Sequence, residues 1–185
     1  ITGAPVEHLE FHEVDYWQEL TEIFNWTQTH IHSTLAVCWG AMAMMNFFYQ
    51  LPKYPLKEKA FGCFEHINLA PENKFMRGFS DRVIIPVSRW SEVKYSDIQK
   101  QKKLEILLSA DEVGPCLISD ESHNAIYMIN HLEYDTLTLE KEYTRDRVLN
   151  KSTTMPKNYF PKDDILIPPI NNWRSHAQLL YGNWI

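Results

Sequence analysis

The chain has 185 residues, 44% hydrophobic and 23% charged, a balance that excludes disorder and fits one globular domain burying roughly 70% of its unfolded surface. Its formal charge of −6 and pI near 5.7 argue against a nucleic-acid partner, which needs a basic face. Leu35 to Leu51, the longest uncharged apolar stretch, contains Asn46 and Gln50 and falls short of a membrane span.

From the N-terminus, "ITGAP" lacks an initiator methionine and reads as a strand end entering a tight turn, so an N-terminal portion is expected to precede Ile1. No signal peptide is visible. "DYWQELTEIFNWTQTH", Asp15 to His30, spaces Trp17, Leu20, Ile23, Phe24 and Trp26 as a core-facing amphipathic helix. "STLAVCW" then predicts a buried strand, and "AMAMMNFFYQ" a helix that ends before Pro52 and Pro55. Strand-like runs follow in "AFGCFEHINL", "RVIIPV", "PCLISDES" and "NAIYMIN", the last two joined as a hairpin through Asp120–Asn124. Between them the Lys/Arg cluster of "KQKKLE" reads as a solvated face. "DTLTLEKEYTRDRVL" predicts a helix with Asp135 as N-cap, acidic residues early and arginines late. The Pro-rich "PKNYFPKDDILIPPINN" predicts a wrapping loop before a last helix in "WRSHAQLLYGNW". Strands alternating with helices give a three-layer α/β fold around a mostly parallel sheet, with 1–185 as a single domain.

Three cysteines, Cys38, Cys63 and Cys116, form an odd set with no Cys-x-x-Cys, which disfavours a disulfide framework and favours the reducing cytoplasm. Cys63 and Cys116 lie in apolar runs and read as core. Cys38 lies where a strand gives way to a helix, so its thiol would stand above the sheet, facing the first N–H groups of that helix. The N–H of Trp39 and one from the Gly3 loop are candidate oxyanion donors. "MINHLEYD" supplies a base, His131, with Glu133 two residues on; alternation along an extended segment would put both on one side, the arrangement of a nucleophile–base–orienter triad. His8 and His12, flanked by Glu7 and Glu13, have metal-like spacing but no third ligand cluster, so no metal is expected.

Through "ITGAPVE", "STLAVCWGA", "KYPLKEK", "RGFSD", "PVSR", "EYD", "NYFPKDD" and "WRSHAQLLYGNW" the sequence resembles the homoserine O-acyltransferases of the homoserine transsuccinylase type, relatives of the class I glutamine amidotransferase (flavodoxin-like) fold. The resemblance implies a ping-pong reaction in which Cys38 takes an acyl group from acyl-coenzyme A, a substrate and not a cofactor. His131 then serves as base toward a small hydroxy amino acid, with Glu133 as its acidic partner. It implies substrate-binding positions at Lys59, Ser88 and Arg145, and Glu142, one turn before Arg145, would meet the substrate ammonium. Glu7 matches the acyl-specificity position: a carboxylate there narrows the pocket and repels a succinyl group, which favours acetyl-CoA. The resemblance further implies a homodimer and an absent N-terminal portion, while cysteine usage and hydropathy favour the cytoplasm with no membrane association.

Val87, Asn130 and Leu132 depart from the family pattern and are expected to sit beside the acceptor pocket, which sets L-serine, and with it cysteine biosynthesis, against L-homoserine as acceptor. The residues also leave room for succinyl-CoA as donor, and for a cysteine hydrolase or glutaminase on the same scaffold.

Overall fold

The computed structural model describes residues 1–149 and 153–185. Helix α1 (Trp17–His30) buries Phe24 and Thr27 and packs Trp17 and Leu20 alongside them, a stripe at helical spacing. Ile23 and Trp26, expected to face the core, lie instead on the outer flank, 49% and 51% exposed, where Trp26 stacks on His30 one turn later. Strand β1 (Thr34–Val37) is buried throughout and runs straight into α2 (Trp39–Tyr49), whose residues from Trp39 to Met45 are all buried. Gln50 closes α2 in a left-handed conformation, its N–H donating to Asn46 O, before Pro52.

The long strand β2 (Tyr54–Asn68) pairs with β3 (Arg82–Glu92), with a register break between Pro55 and Ala60. After the short helix α3 (Tyr95–Gln99) come β4 (Leu104–Ala110), β5 (Gly114–Asp120) and β6 (Ala125–Met128). The sheet order is β1-β6-β5-β4-β2-β3. The α/β class holds, but the sheet is mixed instead of mostly parallel: among the described strands only β1 and β6 pair parallel, and the other four pairings are antiparallel. Chain connectivity explains this. Asp111–Val113 and Glu121–Asn124 are too short for the crossover of a dozen or more residues that parallel neighbours need, so β4-β5-β6 must fold as a meander. The β5–β6 hairpin is legible in the sequence; β4 is hidden there behind "KQKK".

Three layers follow from side-chain alternation on the strands. Leu35, Val37, Ile126 and Met128 face a core shared with Leu139 of α4 (Thr138–Val148) and Leu180 of α5 (Arg174–Trp184). Ala36, Ala125 and Tyr127 face the opposite core, built from α1, α2 and α3. α4 starts after Leu137, so Asp135 is not its N-cap; the Asp135 carbonyl instead accepts a turn hydrogen bond from Thr138. The Pro-rich segment is an ordered loop whose Lys157 hydrogen-bonds through its backbone to Phe61 and Cys63 of β2. Leu180 anchors α5 to the body, and Asn183 donates to the Phe75 and Arg77 carbonyls. No helix among the described residues is long and apolar enough to cross a membrane.

The turn from β1 to α2 is tightly enclosed. A methyl group on Gly40 would lie 2.5 Å from the Thr2 carbonyl oxygen, a backbone atom that cannot rotate away. Gly40→Ala is therefore expected to cost about 1–3 kcal/mol, in line with overpacking of a filled site. A lowered urea midpoint with unchanged m-value would register it, and an unchanged midpoint would show that the 1–3 segment moves freely.

Candidate active site

Cys38 occupies the turn with φ 54° and ψ −124°, a strained backbone for a residue with a Cβ. Its N–H donates to Met128 O at the end of β6, and its carbonyl accepts from Ala41 and Met42 in the first turn of α2. The strain is thus held from both sides, and the side chain is set above the carboxyl ends of β1 and β6. The first N–H groups of α2, beginning with Trp39, have no acceptor within the helix. Gly3 completes this corner: a Cβ there would stand 3.0 Å from Cys38 Cβ, 3.4 Å from the sulfur and 3.8 Å from the Trp39 nitrogen. Its missing side chain leaves room beside the sulfur.

His131 reaches the site beyond the end of β6, its N–H bonded to Pro86 O of β3. The sequence expectation of an extended His-x-Glu segment is corrected here: residues 131–134 form a turn, closed by Tyr134 N–H to His131 O. The turn brings Glu133 Oε1 to 2.6 Å from His131 Nδ1. This carboxylate fixes Nδ1 as the donor and leaves Nε2, which is buried without a hydrogen bond of normal geometry, turned toward the Cys38 thiol. Burial alone would lower the imidazole pKa, but interaction with Cys38 and with Glu133 outweighs it and pushes the group up to about 10. A protonated imidazole is the state so favoured. Cys63 and Cys116 are different: burial pushes each thiol up to about 12, as expected of core cysteines.

Glu7 approaches from the N-terminal segment. One carboxylate oxygen accepts from Trp90 N–H at 2.6 Å, and the other lies 3.9 Å from the Cys38 sulfur. Burial raises its pKa, against the Trp90 hydrogen bond and the nearby cationic Arg89 and His131.

Further along the same cavity, of about 770 Å³, lies a compact array of charges. Lys59 sits in the register break of β2, its ammonium 2.9 Å from Asp146 and 3.4 Å from Glu142. Glu142 and Asp146, four residues apart on α4, share the face turned to it. Glu142 also accepts from the Ser88 hydroxyl and, at 2.5 Å, from Tyr134. Arg145 donates through Nε and Nη2 to Asp146 at 3.0 and 2.8 Å, with over half of its side chain exposed to the cavity mouth and solvent. Gly3, Glu7, Cys38, Lys59, Ser88, His131, Glu133, Glu142 and Arg145, all named from the sequence, border this one cavity; Trp39 does not line it, although its backbone nitrogen lies 3.8 Å from where a Cβ on Gly3 would stand.

Two groups escape sequence reasoning. Asp146 carries no signal of its own in the sequence, yet it is 1% exposed and holds both Lys59 and Arg145. Tyr134 is visible in the sequence only as part of "EYD". Conversely, Val87, Asn130 and Leu132 do not border the cavity: all three are buried in the body. Asn130 is polar because it links His66 to the buried Arg89, accepting from Arg89 Nε at 3.1 Å and meeting His66 Nε2 at 2.9 Å. Burial lowers His66 to about 4, so its neutral ring can accept that bond.

The α/β fold, with a cysteine on the strand-to-helix turn, is one shared with solved glutamine amidotransferases. A glutamine amidotransferase from Thermotoga maritima matches it with a TM-score of 0.69 at 13% identity, over 98% of this chain and 71% of that one. One from Methylobacillus flagellatus matches with a TM-score of 0.69 at 9% identity, over 98% and 73%. Within that fold the chain belongs to the homoserine O-succinyltransferase family, whose family model matches residues 1–185. Proteins named homoserine O-acetyltransferase from Cereibacter sphaeroides, Roseobacter denitrificans and Ruegeria pomeroyi are 57%, 55% and 57% identical to it over its whole length. The chain spans 61%, 61% and 59% of their respective lengths.

If Glu133 helps to hold the proton on His131, Glu133→Gln should move the imidazole titration midpoint down, seen by NMR of the ring nitrogens. A midpoint that stays in place would leave Cys38 as the only source of the elevation.

Proposed function

We propose that the protein is a homoserine O-acetyltransferase of methionine biosynthesis working through an acetyl-Cys38 intermediate. The observation that carries this reading is the joining, in one cavity, of a cysteine–histidine–glutamate set to a charge array matched to a free amino acid. Lys59 and Arg145 balance Asp146 and Glu142, so the array as a whole complements a zwitterion. Hydrolysis of an acyl-enzyme by water would need no such array.

The Cys38 thiolate attacks the thioester carbonyl, and the oxyanion that develops is received by the Trp39 N–H and an N–H of the Gly3 loop. The intermediate collapses with loss of coenzyme A, whose sulfur takes the proton from His131. Acetylation removes the negative charge from Cys38, and with it one of the interactions that raised the His131 pKa. The ring is then neutral and able to act as a base, still oriented by Glu133. It takes the proton of the amino-acid hydroxyl as that oxygen attacks the acetyl carbon; collapse returns the Cys38 thiolate and the His131 imidazolium. One carboxylate, Glu133, thereby serves both half-reactions.

In the acceptor pocket, the planar fork of Arg145 suits the substrate carboxylate and Glu142 the ammonium. L-homoserine is the favoured acceptor, because Val87, Asn130 and Leu132, which depart from the family pattern, are buried and do not themselves line the cavity. Acetyl is the favoured acyl group because Glu7 places a carboxylate 3.9 Å from the sulfur, in the space that a succinyl carboxylate would approach. Acetyl-CoA and homoserine are accordingly the partners proposed, with the protein acting as a homodimer in the cytoplasm.

Incubation with acetyl-CoA alone should add one acetyl group to Cys38, read by intact and peptide mass; labelling confined to Cys63 or Cys116 would refute the reading. Glu7→Gly should raise kcat/KM for succinyl-CoA relative to acetyl-CoA by about tenfold or more, equivalent to about 1.4 kcal/mol of differential binding. An unchanged ratio would remove Glu7 from acyl selection.

A further inference from the structure

Tyr134 touches both halves of the site. Its ring stacks on the His131 imidazole, with centroids 4.2 Å apart and planes inclined by 21°. Its hydroxyl donates to Glu142 Oε1 at 2.5 Å. The position of the ring is itself fixed, because the Tyr134 carbonyl accepts from the indole N–H of buried Trp173 at 2.7 Å and the Tyr134 N–H closes the turn onto His131 O. The phenol therefore forms a rigid strut, one end against the base and the other on the carboxylate that faces the acceptor.

We infer that Tyr134 is a positioning residue that sets the span between the ammonium-holding Glu142 and the proton-accepting His131, and so selects the acceptor's chain length. This rests on the acyl-transfer reading given above. An amino acid held by its ammonium at Glu142 can deliver its hydroxyl to His131 only if the carbons between the two groups match that span. Serine and homoserine differ by one methylene there, a difference that an apolar contact alone discriminates weakly. A strut of fixed length converts the same methylene into a hydroxyl that is in or out of reach of the base.

Glu142 has other donors, Ser88 and Lys59, which keep it within the cavity without the phenol oxygen. What it loses is its fixed distance from His131. Tyr134→Phe keeps the stacked ring and deletes only that tie, while Tyr134→Leu removes both.

The test measures the two half-reactions separately: acetylation of Cys38 by acetyl-CoA, followed by mass, and kcat/KM for L-homoserine and L-serine. Tyr134→Phe should acetylate within about twofold of the wild-type rate, show a KM for L-homoserine raised about tenfold, as for loss of a hydrogen bond to a charged group, and lose at least about fivefold in its homoserine-to-serine preference. Tyr134→Leu should slow acetylation as well, because the His131 ring loses its support. If Tyr134→Phe leaves KM and the preference unchanged while the wild type turns over, the inference is wrong and the acyl-transfer reading stands. An equal slowing of both half-reactions in Tyr134→Phe also overturns it, since the hydroxyl would then act on His131 alone. A wild-type protein that takes no acetyl group on Cys38 would refute the parent reading and this inference together.

Discussion

Everything at the site depends on one strained residue, Cys38, being held in a backbone conformation it would not adopt alone. Left-handed and related conformations cost a non-glycine residue of order 1–3 kcal/mol, and here the cost is offset by hydrogen bonds on both sides. Met128 O accepts the Cys38 N–H because β1 and β6 run parallel with Val37 opposite Met128. The first turn of α2 takes the Cys38 carbonyl. The only parallel pairing among the described strands therefore brings Cys38, at the end of β1, and the segment that leads to His131 to the same edge.

The second constraint is electrostatic. Lys59, Arg145, Asp146 and Glu142 form two opposed pairs with near-complete hydrogen bonding, so the buried charges avoid the penalty of isolation. Glu142 is satisfied by Ser88, Tyr134 and Lys59, three donors from β3, the 131–134 turn and β2. The proposed acceptor pocket is thus assembled from elements distant in sequence, with its charge pattern formed within the protein itself. Preorganisation of this kind lowers the reorganisation needed on binding.

How much of this is legible in the sequence depends on range along the chain. The strand-to-helix junction at Cys38 and the His131-x-Glu133 spacing are local features, and the sequence points to both. Only the structure shows what stands against Gly3 and Gly40, the Cys38 sulfur and the Thr2 carbonyl. The turn that joins His131 to Glu133 reads as extended because alternation fits either geometry over three residues. Helical periodicity draws the inward face of α1 too wide, since Ile23 and Trp26 lie next to Phe24 and Thr27 but on the outer flank. Pairing direction is hidden from the alternation of strands and helices, although the short Asp111–Val113 connection demands an antiparallel pair. Asp146 has no local signature, because only the fold brings Lys59 of β2 against it. Lys59, Ser88 and Arg145 are marked by family resemblance, not by any pattern of their own.

The two cores on opposite faces of the sheet divide the site between them. Glu7 rides on a segment whose Val6, Leu9 and Phe11 pack into the α1–α3 layer, whereas Glu142 and Arg145 ride on α4, anchored by Leu139 in the α4–α5 layer. The sheet separates these layers, so substitutions that resettle one set of hydrophobic side chains need not disturb the other. On the proposed reading, choice of acyl group and choice of acceptor can then diverge along independent evolutionary paths, each adjusted by repacking its own side of the molecule while the cysteine at the seam keeps its place.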